Sequence, residues 1–306
     1  MNKHSVGFIG LGRMGLGMAS NLARAGIPLT VYDAQPAPME ACMALGATAA
    51  TDPADLASRV AHLFLCLPSE NEVDEVLFGN QGAVTKAADG LVIIDTTTMN
   101  YGAALELARR SEQAGLPYSD CPISGMPFRA ENGTLTMMFG GSDAAFSDAR
   151  PYLDIMGEFI VHCGAVGMGQ LMKAVNNIIY NVNIAAICEV MPLAMKSGLA
   201  ADKLTQVLTT ASSRSFASEY FVPRILERKF DGDFSLQAAF KDIVNVQELA
   251  ARFGASTPVV DAMVSTYQAA IDMGFGAEPK SAMVKVYERQ LQYEATVCQT
   301  GSEGDI

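Results

Sequence analysis

Three polar residues recur at intervals of four in a long apolar segment near the middle of the chain. They are Lys173, Asn177 and Asn181, in a mostly helix-forming stretch that runs from Gly164 to Gly198. Residues four apart share one face of a helix, and the surrounding Ile, Val, Leu, Met and Ala are typical of a buried helix. Polar groups in such a setting need partners. This polar stripe is therefore either structural, with Lys173 reaching out to solvent, or part of a functional site.

A glycine motif, GLGRMG, stands between an apolar β-forming run and a helical pattern near the start of the chain. Gly10 permits a tight turn, Gly12 lets the main chain approach a pyrophosphate, and Gly15 allows a helix to pack closely on a strand. The N-terminus of the following helix favours phosphate. The motif therefore predicts a dinucleotide-binding loop. The cofactor contacts expected in it are Gly10, Leu11, Gly12, Arg13, Met14 and Gly15.

An acidic residue ends the next predicted strand, LTVYD, about twenty residues after the glycines, as the dinucleotide fingerprint requires. This residue, Asp33, can accept hydrogen bonds from the adenosine ribose hydroxyls, and its charge repels a 2′-phosphate. The following DAQPAPME contains neither Arg nor Lys, so the sequence predicts NAD in preference to NADP. A Rossmann-like fold that binds no cofactor is the alternative.

Strand and helix patterns continue to alternate up to Gly164, and helical patterns follow from there to residue 289. The predicted fold is therefore α/β, with a doubly wound Rossmann sheet in residues 1–164 and an all-helical domain in residues 165–306. The long helix that carries the polar stripe joins the two. The apolar runs HLFLCLPS and LVIIDTTT are typical of strands in a parallel sheet that is covered on both faces.

Several residues follow the predicted strands at the edge of the sheet where ligands bind. Leu67, Pro68 and Thr98 are expected beside the nicotinamide half of the cofactor, although the threonines at 96–98 could instead cap the helix that begins near Tyr101. Ser124 and Gly125 lie in a later loop, where a hydroxyl and a free N–H could bind a carboxylate.

A charged pair, Lys241 and Asp242, begins a helical segment in the second half of the chain. Lys241 could reach the cofactor while Asp242 holds it in place. An exposed ion pair, which contributes little energy, is the simpler interpretation from the residues alone.

Composition excludes several classes of protein. The net charge of −12 without a basic run argues against a nucleic-acid partner. Six scattered cysteines, without a CxxC pair or a nearby His, indicate reduced thiols in a cytoplasmic protein and no metal site. The N-terminus lacks a signal-peptide pattern. The apolar stretch at residues 178–195 approaches membrane-span length, but polar residues interrupt it, so a core helix is predicted and not a membrane span.

These pieces, in this order, resemble the β-hydroxyacid dehydrogenase family, which includes 3-hydroxyisobutyrate dehydrogenase and tartronate semialdehyde reductase. The resemblance spans nearly the whole chain, and the combination is more specific than any single motif. The segments that carry it are GFIGLGRMGLGMASNL, CLPSENEV, DTTT, DCPISG with GTLTMMFGG, GAVGMGQLMKAVNN and FKD.

The resemblance implies a Rossmann domain, a helical domain that forms homodimers or homotetramers, and roles for particular residues. Lys173 resembles the family's catalytic lysine, and Asn177 its partner one turn on. Ser124 and Gly125 resemble the residues that bind the substrate carboxylate. The cofactor contacts that the resemblance implies are Leu67, Pro68, Thr98 and Lys241.

Two departures from the family pattern affect the expected substrate. The family usually has Ser-Gly-Gly in the carboxylate loop, whereas this chain has Met126 after Gly125, followed by Pro127. Met126 adds bulk and removes main-chain freedom where the substrate is expected. After the fifth strand the family tends to have Ser-Thr and then a proline, whereas here Thr98 is followed by Met99.

The predicted reaction is reversible hydride transfer between NAD and a small 3-hydroxy acid, with Lys173 as general acid and base. Burial of a lysine favours its neutral form, whereas a bound carboxylate favours its charged form. The sequence leaves the substrate open among 3-hydroxyisobutyrate, tartronate semialdehyde, succinic semialdehyde and sulfonated analogues. Three rivals remain, namely an imine reductase, a 6-phosphogluconate-type enzyme and a non-enzymatic dinucleotide sensor. An imine reductase is expected to have Asp or Tyr at the lysine position, and a phosphorylated substrate requires more basic residues than Arg129 and Arg214.

Overall fold

The computed structural model describes residues 5–232, 234–240, 243, 247, 250 and 253–297. The chain divides into two compact units, Met1–Lys173 and Ala174–Ile306. The sequence prediction puts the domain boundary at residue 164, where the last strand ends. The division between the two units falls later, inside the helix that follows that strand.

A nine-stranded sheet forms the centre of the first unit. Its strands are β1 Val6–Ile9, β2 Leu29–Tyr32, β3 Thr48–Ala49, β4 His62–Leu65, β5 Val92–Asp95, β6 Tyr118–Asp120, β7 Ile123–Ser124, β8 Leu135–Gly140 and β9 Gly157–Gly164. The order is β3-β2-β1-β4-β5-β6-β8-β7, with β9 paired to β8. The first six strands of the chain, β1 to β6, are parallel to their neighbours in the sheet. Strand β8 runs antiparallel to β6 and β7. The chain order reverses between β1 and β4, which is where ligands bind in such sheets.

Helices connect these strands, and several begin at residues that cap them. They are α1 Gly15–Arg24, α2 Pro36–Met43, α3 Pro53–Ala57, α4 Glu70–Phe78, α5 Tyr101–Gln113, α6 Pro127–Glu131 and α7 Asp143–Met156. Side-chain oxygens of Asp52, Ser69, Asn100 and Ser142 accept from the main-chain N–H two or three residues later. The cap of α5 is therefore Asn100, and not the threonine cluster at 96–98.

The sheet is covered on both faces. Residues of β1 and β4 are buried along their whole length, and alternate side chains point to opposite faces. Phe8 and Phe64 stack in one hydrophobic cluster, with ring centroids 6.2 Å apart. Leu63 and Ile93 belong to the cluster on the other face. This burial explains why the central strands read as continuous apolar runs, as expected for a parallel sheet.

Regular structure in the rest of the described chain is helical, apart from one isolated β-bridge between Ser235 and Pro279. Helix α8, Met168–Lys196, leads from the first unit into the second. It is followed by α9 Ala201–Thr210, α10 Phe216–Leu226, helical residues 236–240, α11 Pro258–Ala270 with a π-helical turn Ile271–Phe275, a 3₁₀ turn Lys280–Met283, and α12 Val284–Leu291. One hydrophobic cluster, which includes Ile184, Phe221 and Tyr267, forms the core of this unit. The predicted Rossmann domain followed by a helical domain is confirmed.

Helix α8 is the one candidate membrane span among the described residues. Its most apolar window has a mean hydropathy of 1.6, and 44% of that window is buried inside the structure. Length and composition alone are weak evidence, because the core helix of a soluble protein passes the same test.

Candidate active site

The glycine loop follows β1 and turns sharply against the end of β4. Gly10 has φ +92°, and a Cβ there would lie 2.2 Å from the carbonyl oxygen of Cys66. A Cβ on Gly15 would lie 1.9 Å from the carbonyl oxygen of Gly10. A Cβ on Gly12, by contrast, would meet no atom within 4 Å. Larger residues are therefore excluded at 10 and 15 by close packing, whereas the main chain at Gly12 faces open space that a cofactor phosphate can approach.

The residues between these glycines differ in how far their side chains are exposed. The side chain of Leu11 is buried in the core, Arg13 is exposed, and Met14 is half-buried. Met14 occupies the N-cap position of α1 without a capping side-chain bond. A helix start of this kind offers N–H groups to an anion, as the dinucleotide fingerprint requires.

Asp33 follows β2 directly and is bonded to the glycine loop. Its Oδ2 accepts a hydrogen bond from the N–H of Leu11 at 2.6 Å, and its Oδ1 accepts one from the N–H of Gln35 at 2.8 Å. The carboxylate is half-buried. Each carboxylate oxygen has two lone pairs, so the group keeps the capacity to accept from ribose hydroxyls as well.

The loops after β4 and β5 are joined by the side chain of Thr97. Its Oγ1 accepts from the N–H of Leu67 at 3.0 Å, and its N–H donates to Oδ1 of Asp95 at 2.8 Å. Thr97 is buried, whereas the predicted cofactor contacts beside it stay accessible: Leu67 and Thr98 are half-buried and Pro68 is exposed. The three predicted contacts thus lie at one edge of the sheet. Thr97, which was not among the predicted site residues, links the two loops that carry them.

The predicted carboxylate loop begins at the end of β7. Ser124 is the last residue of that strand and is half-buried. Gly125 is exposed and has φ +148°, which disfavours any other residue there. Met126 is half-buried and is the N-cap of α6, which also contains Arg129. The departure from Ser-Gly-Gly therefore starts a helix directly behind the loop.

The first turn of α8 is bonded to Asp120 at the end of β6. Oδ1 of Asp120 accepts from the N–H of Gly167 at 2.5 Å, and Oδ2 accepts from the N–H of Gln170 at 2.8 Å. The helix lies so close to the sheet that a Cβ on Gly169 would be 2.2 Å from the carbonyl oxygen of Met138. Burial raises the pKa of Asp120 to about 6.

A second buried carboxyl lies on the neighbouring strand. Asp95 accepts a hydrogen bond from the Tyr118 hydroxyl at 2.8 Å, and its own pKa is raised to about 6, chiefly by burial. Burial also raises the pKa of Tyr118 well above its ordinary value. Asp95, Asp120 and Thr97 form a buried polar layer beneath the predicted site. Sequence reasoning missed this layer, and its available signal was an acidic residue at the end of each of two neighbouring strands.

The polar stripe of α8 divides into residues with different surroundings. Asn181 is 1% exposed, and its Oδ1 accepts from the hydroxyl of Tyr267 at 2.8 Å, so a structural bond accounts for it. Lys173 and Asn177 are each half-buried and lie one turn apart on the same continuous helix. Lys241 and Asp242 lie outside the described residues. Among the residues that are described, no group of His, Cys, Asp and Glu side chains could hold a metal ion.

Two family models match consecutive parts of the chain. Residues 5–167 match the NAD binding domain of 6-phosphogluconate dehydrogenase. Residues 167–287 match the model described as NAD-binding of NADP-dependent 3-hydroxyisobutyrate dehydrogenase. Together the two matches extend from the first strand to α12.

Similar proteins cover nearly the same length. The chain is 32% identical to 2-(hydroxymethyl)glutarate dehydrogenase of Eubacterium barkeri, over 93% of this chain and 95% of that protein. It is 34% identical to mitochondrial 3-hydroxyisobutyrate dehydrogenase of Mus musculus, over 85% of this chain and 79% of that one. The structure of Mycobacterium tuberculosis 3-hydroxyisobutyrate dehydrogenase with L-serine superimposes with a TM-score of 0.84 at 28% identity, covering 92% of this chain and 98% of that one.

Proposed function

The chain belongs to the β-hydroxyacid dehydrogenase family and is an NAD(P)-dependent oxidoreductase, and we propose that it interconverts a small 3-hydroxy acid and its semialdehyde. One observation carries the proposal. Contacts run without a break from the glycine loop to the helix of Lys173: Gly10 lies against Cys66, Leu67 is bonded to Thr97, and Thr97 is bonded to Gln170 in the first turn of α8. The glycine loop and the helix that carries Lys173 are therefore linked by a continuous series of packing contacts and hydrogen bonds.

Each residue of the proposed site has a role in the reaction. Bound nicotinamide supplies the hydride acceptor or donor. Neutral Lys173 accepts the hydroxyl proton of the substrate during oxidation, and its ammonium form returns the proton to the oxygen during reduction. Asn177 orients the lysine or the substrate hydroxyl. The hydroxyl of Ser124 and the N–H of Gly125 bind the substrate carboxylate.

The chemistry of the relatives narrows the substrate class. The relatives are named for 3-hydroxyisobutyrate and 2-(hydroxymethyl)glutarate, and one of the structures contains L-serine. All three compounds are 3-hydroxypropanoates that differ only in the group on carbon 2. The carboxylate loop and Lys173 would recognise the carboxylate and the hydroxyl group that these compounds share. The preference among substrates would then depend on the substituent on carbon 2. We assign that discrimination to Met126, whose side chain is half-buried beside the loop.

Further features support finer proposals. The carboxylate of Asp33 favours NAD over NADP by repelling a 2′-phosphate. Residues 1–164 act as the dinucleotide domain and residues 165–306 as the domain for substrate binding and assembly. The described cysteines, which are all free, support a cytoplasmic location. On a projection with 3.6 residues per turn, five exposed apolar side chains of α8 fall within about 60° of each other, which supports a homodimer or homotetramer. These are Met172, Val175, Ile179, Val190 and Leu193.

A substrate panel tests the proposal. NAD reduction is measured with 3-hydroxyisobutyrate, 2-(hydroxymethyl)glutarate, L-serine and 3-hydroxypropanoate, and NADH oxidation with the matching semialdehydes, with NADP(H) in parallel. Turnover of at least one pair, fastest with NAD, is the expected result. NADH binding without turnover on any member would instead favour a dinucleotide sensor. Reduction of cyclic imines or oxidation of 6-phosphogluconate alone would favour the other two rivals.

A further inference from the structure

We infer that Gln170 is a positioning residue that holds the loop after β5 in register with Lys173, an assignment that rests on the proposed function. Gln170 is 2% exposed and lies in the first turn of α8. It had no place among the residues singled out from the sequence.

The side-chain amide of Gln170 binds the main chain on both sides of Thr98. Its Nε2 donates to the carbonyl oxygen of Thr97 at 2.6 Å, and its Oε1 accepts from the N–H of Met99 at 3.1 Å. Thr97 and Met99 are 2% and 7% exposed, whereas Thr98 between them is half-buried. The amide thus fixes both flanks of the residue that is proposed to contact the cofactor.

The same residue is tied to the helix that carries the lysine. Its own N–H donates to Asp120, which also accepts from Gly167, so the helix start cannot shift without breaking buried bonds. Lys173 follows three residues later, which places it on the same side of the helix and about 4.5 Å further along the axis. Gln170 therefore connects the proposed cofactor loop to the proposed proton-exchanging group by one rigid side chain.

Such a connection matters because hydride transfer and proton transfer must occur at the same substrate carbon and its oxygen. A displacement of about 1 Å between reacting groups can lower a rate by about a hundredfold. Loss of the Gln170 bonds would let the loop and the helix move relative to each other while both remain folded. The expected defect is therefore in the chemical step more than in cofactor affinity.

Two variants separate this role from simple packing. Gln170→Met keeps the side-chain length but removes both hydrogen bonds. Gln170→Glu can replace both hydrogen bonds only when its carboxyl is protonated, because only then does the side chain have a donor as well as an acceptor. Burial and low pH both favour the protonated form. Gln113→Met, at an exposed position in the last turn of α5, is the matched control. Because Asp95 and Asp120 have pKa values of about 6, each variant is compared with wild type at the same pH.

The measurements are kcat and KM on the best panel substrate, the isotope effect with NADH deuterated at carbon 4, the NADH dissociation constant by fluorescence, and Tm. For Gln170→Met we expect kcat to fall about 10- to 100-fold with a larger isotope effect, while NADH affinity stays within about threefold. For Gln170→Glu we expect kcat, divided by the wild-type kcat at the same pH, to increase towards 1 as pH falls from 8 to 5.5. The control should match wild type.

The outcomes distinguish the two proposals. If wild-type protein turns over no panel substrate, the proposed function fails and this inference fails with it. If wild type is active and folded Gln170→Met keeps kcat within threefold, or loses only Tm, Gln170 is merely structural and only the positioning role is overturned. A Gln170→Glu ratio that stays constant with pH would also overturn it.

Discussion

The N–H of Leu11 donates to the carboxylate of Asp33 at 2.6 Å, so the acidic residue after the second strand is fixed against the glycine loop. This bond holds the carboxylate next to the main chain of that loop. On the proposed function, Asp33 would couple the choice between NAD and NADP to the shape of the pyrophosphate loop.

Neutralising that side chain should weaken the discrimination between cofactors. Asp33→Asn keeps the shape of the residue but removes the charge that repels a 2′-phosphate. We expect the ratio of kcat/KM for NAD over NADP to fall about tenfold, which corresponds to about 1.4 kcal/mol. Exposed Asp89 provides the control variant Asp89→Asn. An unchanged ratio in Asp33→Asn would show that selectivity comes from elsewhere.

Removal of the amine on α8 should abolish most turnover. Lys173→Met should lower kcat by about 10²- to 10⁴-fold, the usual contribution of general acid–base catalysis, with NADH affinity unchanged. Added methylamine should partly restore turnover to Lys173→Ala. Lys196→Met at the far end of the same helix is the control, since Lys196 is exposed and donates to the carbonyl oxygen of Leu291 at the end of α12. A Lys173→Met enzyme with most of its turnover would refute the assignment.

Substitution of Asn177 should affect catalysis, whereas substitution of Asn181, the other asparagine of the polar stripe, should affect stability. Asn181→Ala leaves the buried hydroxyl of Tyr267 without its acceptor and should lower the free energy of unfolding by about 1–3 kcal/mol, with kcat preserved. Asn177→Ala should lower kcat with a smaller change in stability. Urea unfolding and steady-state kinetics on both variants test this. Combining Asn181→Ala with Tyr267→Phe should recover stability, and a purely additive loss would contradict the bond's importance.

Shortening Met126 should change the preference among substrates. Met126→Ala enlarges the space beside the carboxylate loop, so kcat/KM for 2-(hydroxymethyl)glutarate relative to 3-hydroxypropanoate should shift about tenfold, the effect of one or two methylene-sized contacts. Met43→Ala, at an exposed position in α2, controls for loss of a methionine. Equal changes on all substrates would mean that Met126 does not contact carbon 2.

The raised pKa of Asp120 predicts a pH dependence of stability. Its pKa of about 6 in the folded protein exceeds the value of about 3.9 expected in the unfolded chain, so folding takes up a proton between these values. The contribution of Asp120 to the free energy of unfolding should therefore be greatest below pH 4, fall by on the order of 3 kcal/mol as pH rises through 6, and stay level above about pH 7.

Asp120→Asn tests this dependence, because an amide cannot ionise. Urea unfolding at pH 4, 5, 6 and 7 should show a smaller fall for the variant than for wild type. Asp95, whose pKa is also about 6, accounts for the part that remains. An identical fall in both proteins would contradict the assignment of the titration to Asp120.

Much of the fold was predictable because its signals are local. Gly10 and Gly15 are required by contacts within the turn and with the adjacent strand, and buried strands of a parallel sheet are apolar whatever lies around them. Helix caps such as Ser69 and Ser142 depend on the next three residues. The positions of Asp33 and Lys173 followed from motif spacing in the same way.

The sequence by itself therefore determined the glycine loop, the order of strands and helices, and the presence of a polar stripe on α8. Only the tertiary structure showed which of the polar residues form buried hydrogen bonds that stabilise the fold. Asn181 bonds Tyr267 at a separation of 86 residues, Gln170 bonds Thr97 at 73, and Asp120 bonds Gly167 at 47. Steric restrictions on the main chain and helical periodicity depend on residues that are close in the sequence. The hydrogen-bond partner of a buried polar group, by contrast, is whichever group the fold places beside it.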